Sequence, residues 1–155
     1  MPGYGILDAN DGEGLLPWEW ALERLTGSHN YLLATTRPDG RPHVMPVWGL
    51  WLDGAFYFST GRQSRKARNL RANPHCVVST ESPEEAVIVE GVAQEITDRA
   101  GLRPFFEAYK PKYDWDLEEM GFADEPVYIV RPRVVFGIRE RDFTGSATRW
   151  VFDDV

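Results

Sequence analysis

The chain has 155 residues, 43% of them hydrophobic and 26% charged, which fits one folded domain of ordinary size. A net charge of −7 excludes a broad basic face for nucleic acid, and no apolar run approaches the ~20 residues of a membrane-spanning helix. The lone cysteine, Cys76, excludes an intrachain disulfide, and with only His29, His43 and His75 beside it no ligand set has metal spacing.

Residues 1–16 are rich in glycine and acids and predict an N-terminal arm; residues 17–155 then form a single domain. That start lacks the basic and apolar pattern of a signal peptide, so a cytoplasmic protein is expected. Pro17 suits a first helical turn, Trp18, Ala21, Leu22 and Leu25 recur at helical spacing, and Gly27 is a stop. The period then changes. Tyr31 to Thr36 reads as a strand, Arg37-Pro38-Asp39-Gly40 as a turn, and Arg41 to Leu52 as a long second strand. Pro42 and Pro46 confine that strand to an edge or a bulge. Asp53-Gly54 signals a hairpin into a third strand, Ala55 to Thr60.

A short helix follows under Ser64, with Ala67 and Leu70 on its inner side and Asn73-Pro74 at its end. His75 to Thr80 and Ala86 to Glu95 predict two strands, and Asp98 to Tyr109 a helix. Lys110 to Asp124 reads as an aromatic, acidic connector. Val127 to Val130 and Val134 to Ile138 predict a further pair of strands, and Thr148 to Phe152 a short closing one. Many strands and few helices make the chain mainly β, an antiparallel barrel more than a sandwich, a choice that the pattern alone leaves open.

Candidate chemistry concentrates between Ser59 and Leu70. A strand ends in Ser59 and Thr60, Gly61 frees the backbone, and a helix starts with Arg65 and Lys66 in its first turn. Basic side chains oppose the positive end of a helix dipole, so an outside anion, a phosphate above all, is one reading of their presence there. A solvated basic face is the other.

The order strand, Ser-Thr-Gly, loop, Ser64-Arg65-Lys66-Ala67, helix, Asn73-Pro74, strand resembles the pyridoxamine 5'-phosphate oxidase-like superfamily of split β-barrels. Within it, Leu33 to Trp48 is similar to the flavin and deazaflavin oxidoreductases, and Thr148-Arg149-Trp150 resembles the closing strand. The resemblance implies an antiparallel split barrel, a homodimer, and either FMN or the deazaflavin coenzyme F-420 as cofactor. It places a cofactor phosphate among Ser59, Thr60, Ser64, Arg65 and Lys66, and the ring along Val44, Met45, Pro46, Val47 and Trp48. Arg149 and Trp150 close the site, from the same or the partner subunit. Met45 to Gly49 holds no basic residue, whereas the vitamin B6 oxidase carries an arginine and a lysine on that strand. The difference moves weight toward the deazaflavin.

The implied activity is hydride transfer on a small conjugated organic substrate, with cofactor-borne chemistry and no acid–base pair from the protein. Two alternatives stay open: a storage protein for flavin, deazaflavin or haem, and the vitamin B6 phosphate oxidase itself. His43 is either a contact to cofactor or substrate or a plain strand position, and only it or His75 is available as a haem ligand. The carboxylates Asp114, Asp116, Glu118 and Glu119 read as a solvated face. Trp48 and Trp51 fall on opposite faces of their strand, one packed in the barrel and the other at a subunit contact or the ring.

Overall fold

The computed structural model describes residues 3–6 and 14–153, so residues 1–2 and 7–13 of the expected arm lie outside the described part. The end of that arm is fastened: Leu16 is buried, and its N–H donates to Thr148 Oγ1 at 2.9 Å. Helix α1 (Trp18–Gly27) leads into β1 (Tyr31–Thr36), β2 (Pro42–Val47), β3 (Gly49–Leu52) and β4 (Ala55–Ser59). Helix α2 (Arg65–Ala72) precedes β5 (His75–Thr80) and β6 (Glu85–Glu95), and α3 (Arg99–Tyr113) precedes β7 (Val127–Arg139). A tight helical turn at Glu140–Asp142, the short α4 (Phe143–Ser146) and β8 (Thr148–Val151) complete the described elements.

All strand pairs are antiparallel, in the order β2-β1-β5-β6-β7-β4-β3, with β8 added on β7. Strands β2 and β3 sit at opposite ends of this order, yet only Trp48 separates them in the chain. The sheet therefore curls until its ends meet. This is a split barrel with short helices, as expected.

Three boundaries differ from the sequence reading. The long second strand breaks at Trp48, where the chain leaves its pairing with β1 and begins pairing with β4; a side chain at Gly49 would collide with the Phe56 ring and the Tyr57 carbonyl. Only glycine lets β3 approach β4 so closely. The two late strands are one long strand, β7, and Pro132 inside it sits at the bulge where pairing with β6 shifts between Glu90 and Gly91. Helix α3 runs on to Tyr113 through Pro104 and Pro111, each of which removes a backbone donor. Its buried face of Phe105, Tyr109 and Tyr113 holds the helix together across those gaps.

Side chains alternate across the sheet. The inward set, including Tyr31, Leu33, Trp51, Phe56, Phe58, Val78, Val89 and Val130, forms the barrel core with Ala21 and Leu25 of α1 and Ala67 and Leu70 of α2. On the outer face, α3 covers the β3–β4 end through Leu50, Phe105, Tyr109, Tyr113, Leu117 and Val127. The β1–β2 end of that face is bare, with Leu32 and Val44 45% and 56% exposed. No helix among the described residues is long and apolar enough to cross a membrane.

Candidate cofactor site

The start of α2 faces the inner side of β2. Ser64 takes an extended N-cap conformation and its Oγ accepts the Ala67 N–H at 3.2 Å. The Thr60 hydroxyl donates to the same Oγ at 3.1 Å. With both lone pairs engaged, the Ser64 hydroxyl proton is free for an outside acceptor. Arg65 and Lys66 follow in a first turn that contains no acid, and among the described residues neither has a carboxylate partner within ion-pair distance. Partial burial holds the Lys66 ammonium below the ordinary lysine range.

Across from them stands His43, paired with Thr35 in the β1–β2 register. Asn69, on the buried side of α2, donates from Nδ2 to Thr35 Oγ1 at 3.0 Å and fastens the helix to that register. His43 Nδ1 is inaccessible and has no hydrogen-bond partner, and Asn69 Oδ1 is in the same condition. Desolvation first, then Arg37, Lys66 and Arg65, depress the His43 imidazole below the ordinary histidine range. Those three cations therefore converge on one neutral ring. The Ser64 hydroxyl and the cations of Arg65 and Lys66 together make a donor set that fits a phosphate.

Of the residues expected at the cofactor, Thr60, Ser64, Arg65, Lys66 and His43 share this cradle. The others separate. Ser59 points toward the connector, where its hydroxyl donates to the Pro126 carbonyl at 3.1 Å. Val44 and Pro46 face outward on the edge strand, Met45 lies on the inner side opposite Leu33, and Val47 is buried in the core. Trp150 lies edge-on to Trp18 at 5.3 Å and closes over Gly137, with the exposed Arg149 beside it on β8. Trp51 packs in the barrel as expected of one of the pair.

Trp48 belongs to a second region. Its ring stacks on Tyr113 at 4.6 Å with planes 7° apart, and Trp115 meets it edge-on at 5.6 Å. The Trp48 indole N–H donates to Asn30 Oδ1 at 3.1 Å. A cavity of about 200 Å³ opens between Trp48, the Ser59–Gly61 turn, Tyr109 and the connector residues Trp115, Leu117, Phe122 and Glu125. Behind the stack, Lys112 Nζ donates to Tyr31 Oη at 2.7 Å and to the Gly49 carbonyl at 3.0 Å. Burial lowers its pKa to about 8. A wider groove of about 970 Å³ runs along the polar side of α3. Three of its charge pairs answer one another, Arg62–Glu95, Arg103–Glu107 and Lys110–Asp116, whereas the smaller cavity adjoins the cradle through Thr60.

The sequence alone does not mark Tyr109, Lys112, Tyr113, Trp115 or Phe122 as site residues. Their signal is hidden by Pro111: Phe105, Tyr109 and Tyr113 recur every four residues on one face only if the helix continues through the proline.

The family model described as pyridoxamine 5'-phosphate oxidase matches residues 19–139. Among solved structures, the conserved hypothetical protein Rv2991 from Mycobacterium tuberculosis is 22% identical with a TM-score of 0.73, over 82% of this chain and 87% of that one. An F-420 reductase is 26% identical with a TM-score of 0.60, over 77% of this chain and 98% of that one. HutZ, the heme storage protein from Vibrio cholerae, is 18% identical with a TM-score of 0.60, over 90% of this chain and 95% of that one. No curated protein matches the sequence.

Proposed function

The chain belongs to the pyridoxamine 5'-phosphate oxidase family, and from that premise we propose that it is an oxidoreductase using a deazaflavin or flavin phosphate. The observation that carries this reading is the cradle: two first-turn cations without carboxylate partners among the described residues, facing a histidine with an orphaned nitrogen. Thr60, Ser64, Arg65, Lys66 and His43 would hold the phosphate. The outer edge of β2, from Val44 to Val47, has backbone groups without a neighbouring strand and would meet the rim of the ring, with Trp48 at its end. When bound, the cofactor supplies the hydride-carrying centre, and the protein's part is to bind, orient and exclude water.

The absence of a basic residue from Met45 to Gly49 favours the deazaflavin coenzyme over FMN. The F-420 reductase among the similar structures agrees with that preference. A second reading, haem binding, draws on the heme storage neighbour and on His43 and His75, the two histidines available as a haem ligand. A Soret band in the purified protein distinguishes it.

The bare end of the outer face argues for a second copy of the chain. Leu32 and Val44 stand exposed there, and neighbouring Pro46 adds to the same apolar patch. Across such an interface Arg149, exposed on β8, would reach the partner's site, while Trp150 stays packed on Trp18 and Gly137.

The test is calorimetric titration of the folded apoprotein with FMN and with the deazaflavin coenzyme. Arg65→Ala with Lys66→Ala should weaken binding by about tenfold or more, since charge-assisted bonds contribute ~1.5–3 kcal/mol each and ~1.4 kcal/mol is tenfold. Arg68→Ala with Arg71→Ala, further along α2, should change it little. Equal losses from the two pairs would reduce Arg65 and Lys66 to ordinary surface charges.

A further inference from the structure

The cavity beneath the connector has a chemistry opposite to the cradle's. Among the described residues, the aromatic rings of Trp48, Tyr109, Trp115 and Phe122 line it, together with the carboxylate of Glu125. Trp115 and Phe122 remain 43% and 44% exposed, so packing leaves ring surface available to a ligand. One Glu125 oxygen accepts the Arg62 backbone N–H at 2.8 Å, which orients the carboxylate and leaves its other oxygen. The Arg62 guanidinium itself is taken by Glu95 at 3.1 Å and by the Asp124 carbonyl at 3.4 Å. Of the six carboxylates on the connector over 114–126, Glu125 is the one that lines this cavity, and the connector holds no lysine or arginine.

Ring faces attract cations through their quadrupoles, and apolar walls focus an acidic field into a cleft. The size is also selective. At about 200 Å³ the cavity lies below the ~300–1,000 Å³ of pockets that hold drug-sized ligands, so it takes one ring and not a flavin ring system. Thr60 lines it, and the Thr60 hydroxyl also bonds Ser64 in the cradle, so its occupant would lie next to the proposed cofactor.

We propose that this cavity is the substrate pocket and that it selects a compact single-ring organic cation, such as an arylalkylammonium or an N-alkylated heteroaromatic. Calling the occupant a substrate rests on the oxidoreductase reading above; the charge preference of the cavity does not.

Three probes of similar shape test it on the full-length protein: benzyltrimethylammonium, benzyl alcohol and benzoate. Each is titrated by calorimetry at pH 7, with and without saturating FMN or deazaflavin coenzyme. The ammonium should bind about fivefold or more tighter than the alcohol, with benzoate weakest. Glu125→Gln should remove most of that advantage, Trp115→Leu should weaken the ammonium, and cofactor should leave its binding in place. Benzoate or alcohol binding as tightly as the ammonium overturns the proposal, and so does a preference unchanged in both variants. Competition between cofactor and ammonium overturns it as well, because the cavity would then be part of the cofactor's own seat. Failure of both cofactors to bind, with the cation preference intact, overturns the redox reading and the word substrate while leaving the cation site.

Discussion

Helices α2 and α3 attach to the same barrel wall by different physics. Helix α3 lays an aromatic face on the outside of β3 and β4, with Phe105 fully buried and Tyr109 and Tyr113 nearly so. Helix α2 has only eight residues, buries Ala67, Asn69 and Leu70, and directs uncompensated charge at β2. The first arrangement is complete in itself, since every ring has a neighbour. The second is electrostatically unfinished, and the proposed cofactor phosphate would complete it. Damage to α3 should therefore appear as lost stability, and damage to α2 as lost affinity.

The largest expected effect is Phe105→Ala. Removing a fully buried ring loses its transfer energy and leaves a cavity, ~3–5 kcal/mol together. Chemical denaturation should show the fall, whereas the Arg65 and Lys66 variant should unfold at nearly the parent midpoint. A comparable fall in both would erase the distinction between the helices.

Next comes the wall that no helix covers. Val44→Asp places a charge in the bare apolar end of the outer face without touching the barrel core. Sedimentation should report dimers for the parent and monomers for the variant at micromolar concentration. A parent that sediments as a monomer with cofactor bound would show that the bare face has no second copy on it.

A smaller effect concerns pH. Lys112 is lowered to about 8 by burial, so between pH 8 and the ordinary lysine range the unfolded chain binds the proton that the fold has released. Stability attributable to Lys112 accordingly rises with pH across that window. Burial raises Tyr31 and Tyr113, which reverses the sign above pH ~10, where the unfolded tyrosines ionise first. Stability of the parent relative to Lys112→Met, followed from pH 7 to 10, should thus increase. A flat difference would mean that the ammonium is as well hydrated in the fold as outside it.

The smallest is a proton count. Desolvation and three cations depress His43, and a phosphate in the cradle would reverse the electrostatic part. Below the ordinary histidine pKa, cofactor binding should then draw a proton from solution. Calorimetry in buffers of different ionisation enthalpy measures it, and His43→Asn should abolish the uptake. A buffer-independent heat in the parent would place the anion elsewhere.

Features built from adjacent residues are legible in the sequence. Ser64, the Arg65-Lys66 turn and Asn73-Pro74 define α2 within one short stretch of chain, and the structure keeps those bounds. The proline-bearing strand β2 is at the sheet's edge, as its missing donors require. What stays illegible depends on distant partners. The break at Trp48 follows from the exchange of β1 for β4 as pairing partner, and the seat of Trp150 is set by Trp18 from the other end of the chain. The continuation of α3 through Pro111 depends on a hydrophobic face whose value emerges only once β3 and β4 lie beneath it.

The Pro126 carbonyl accepts both the Ser59 hydroxyl and the Thr60 N–H, at 3.1 and 3.3 Å. At the other end of the connector, Asp114 turns the chain out of α3 in a left-handed conformation, and its N–H is held by the Lys110 carbonyl. The intervening strap is thus clamped at two points, one of them on the very turn that leads to the cradle. Between the clamps Leu117 is buried and Asp116 caps the turn, while Trp115, Met120 and Phe122 remain exposed. Such a part is exchangeable at its exposed positions: new side chains there would alter what the cavity accepts without touching the barrel.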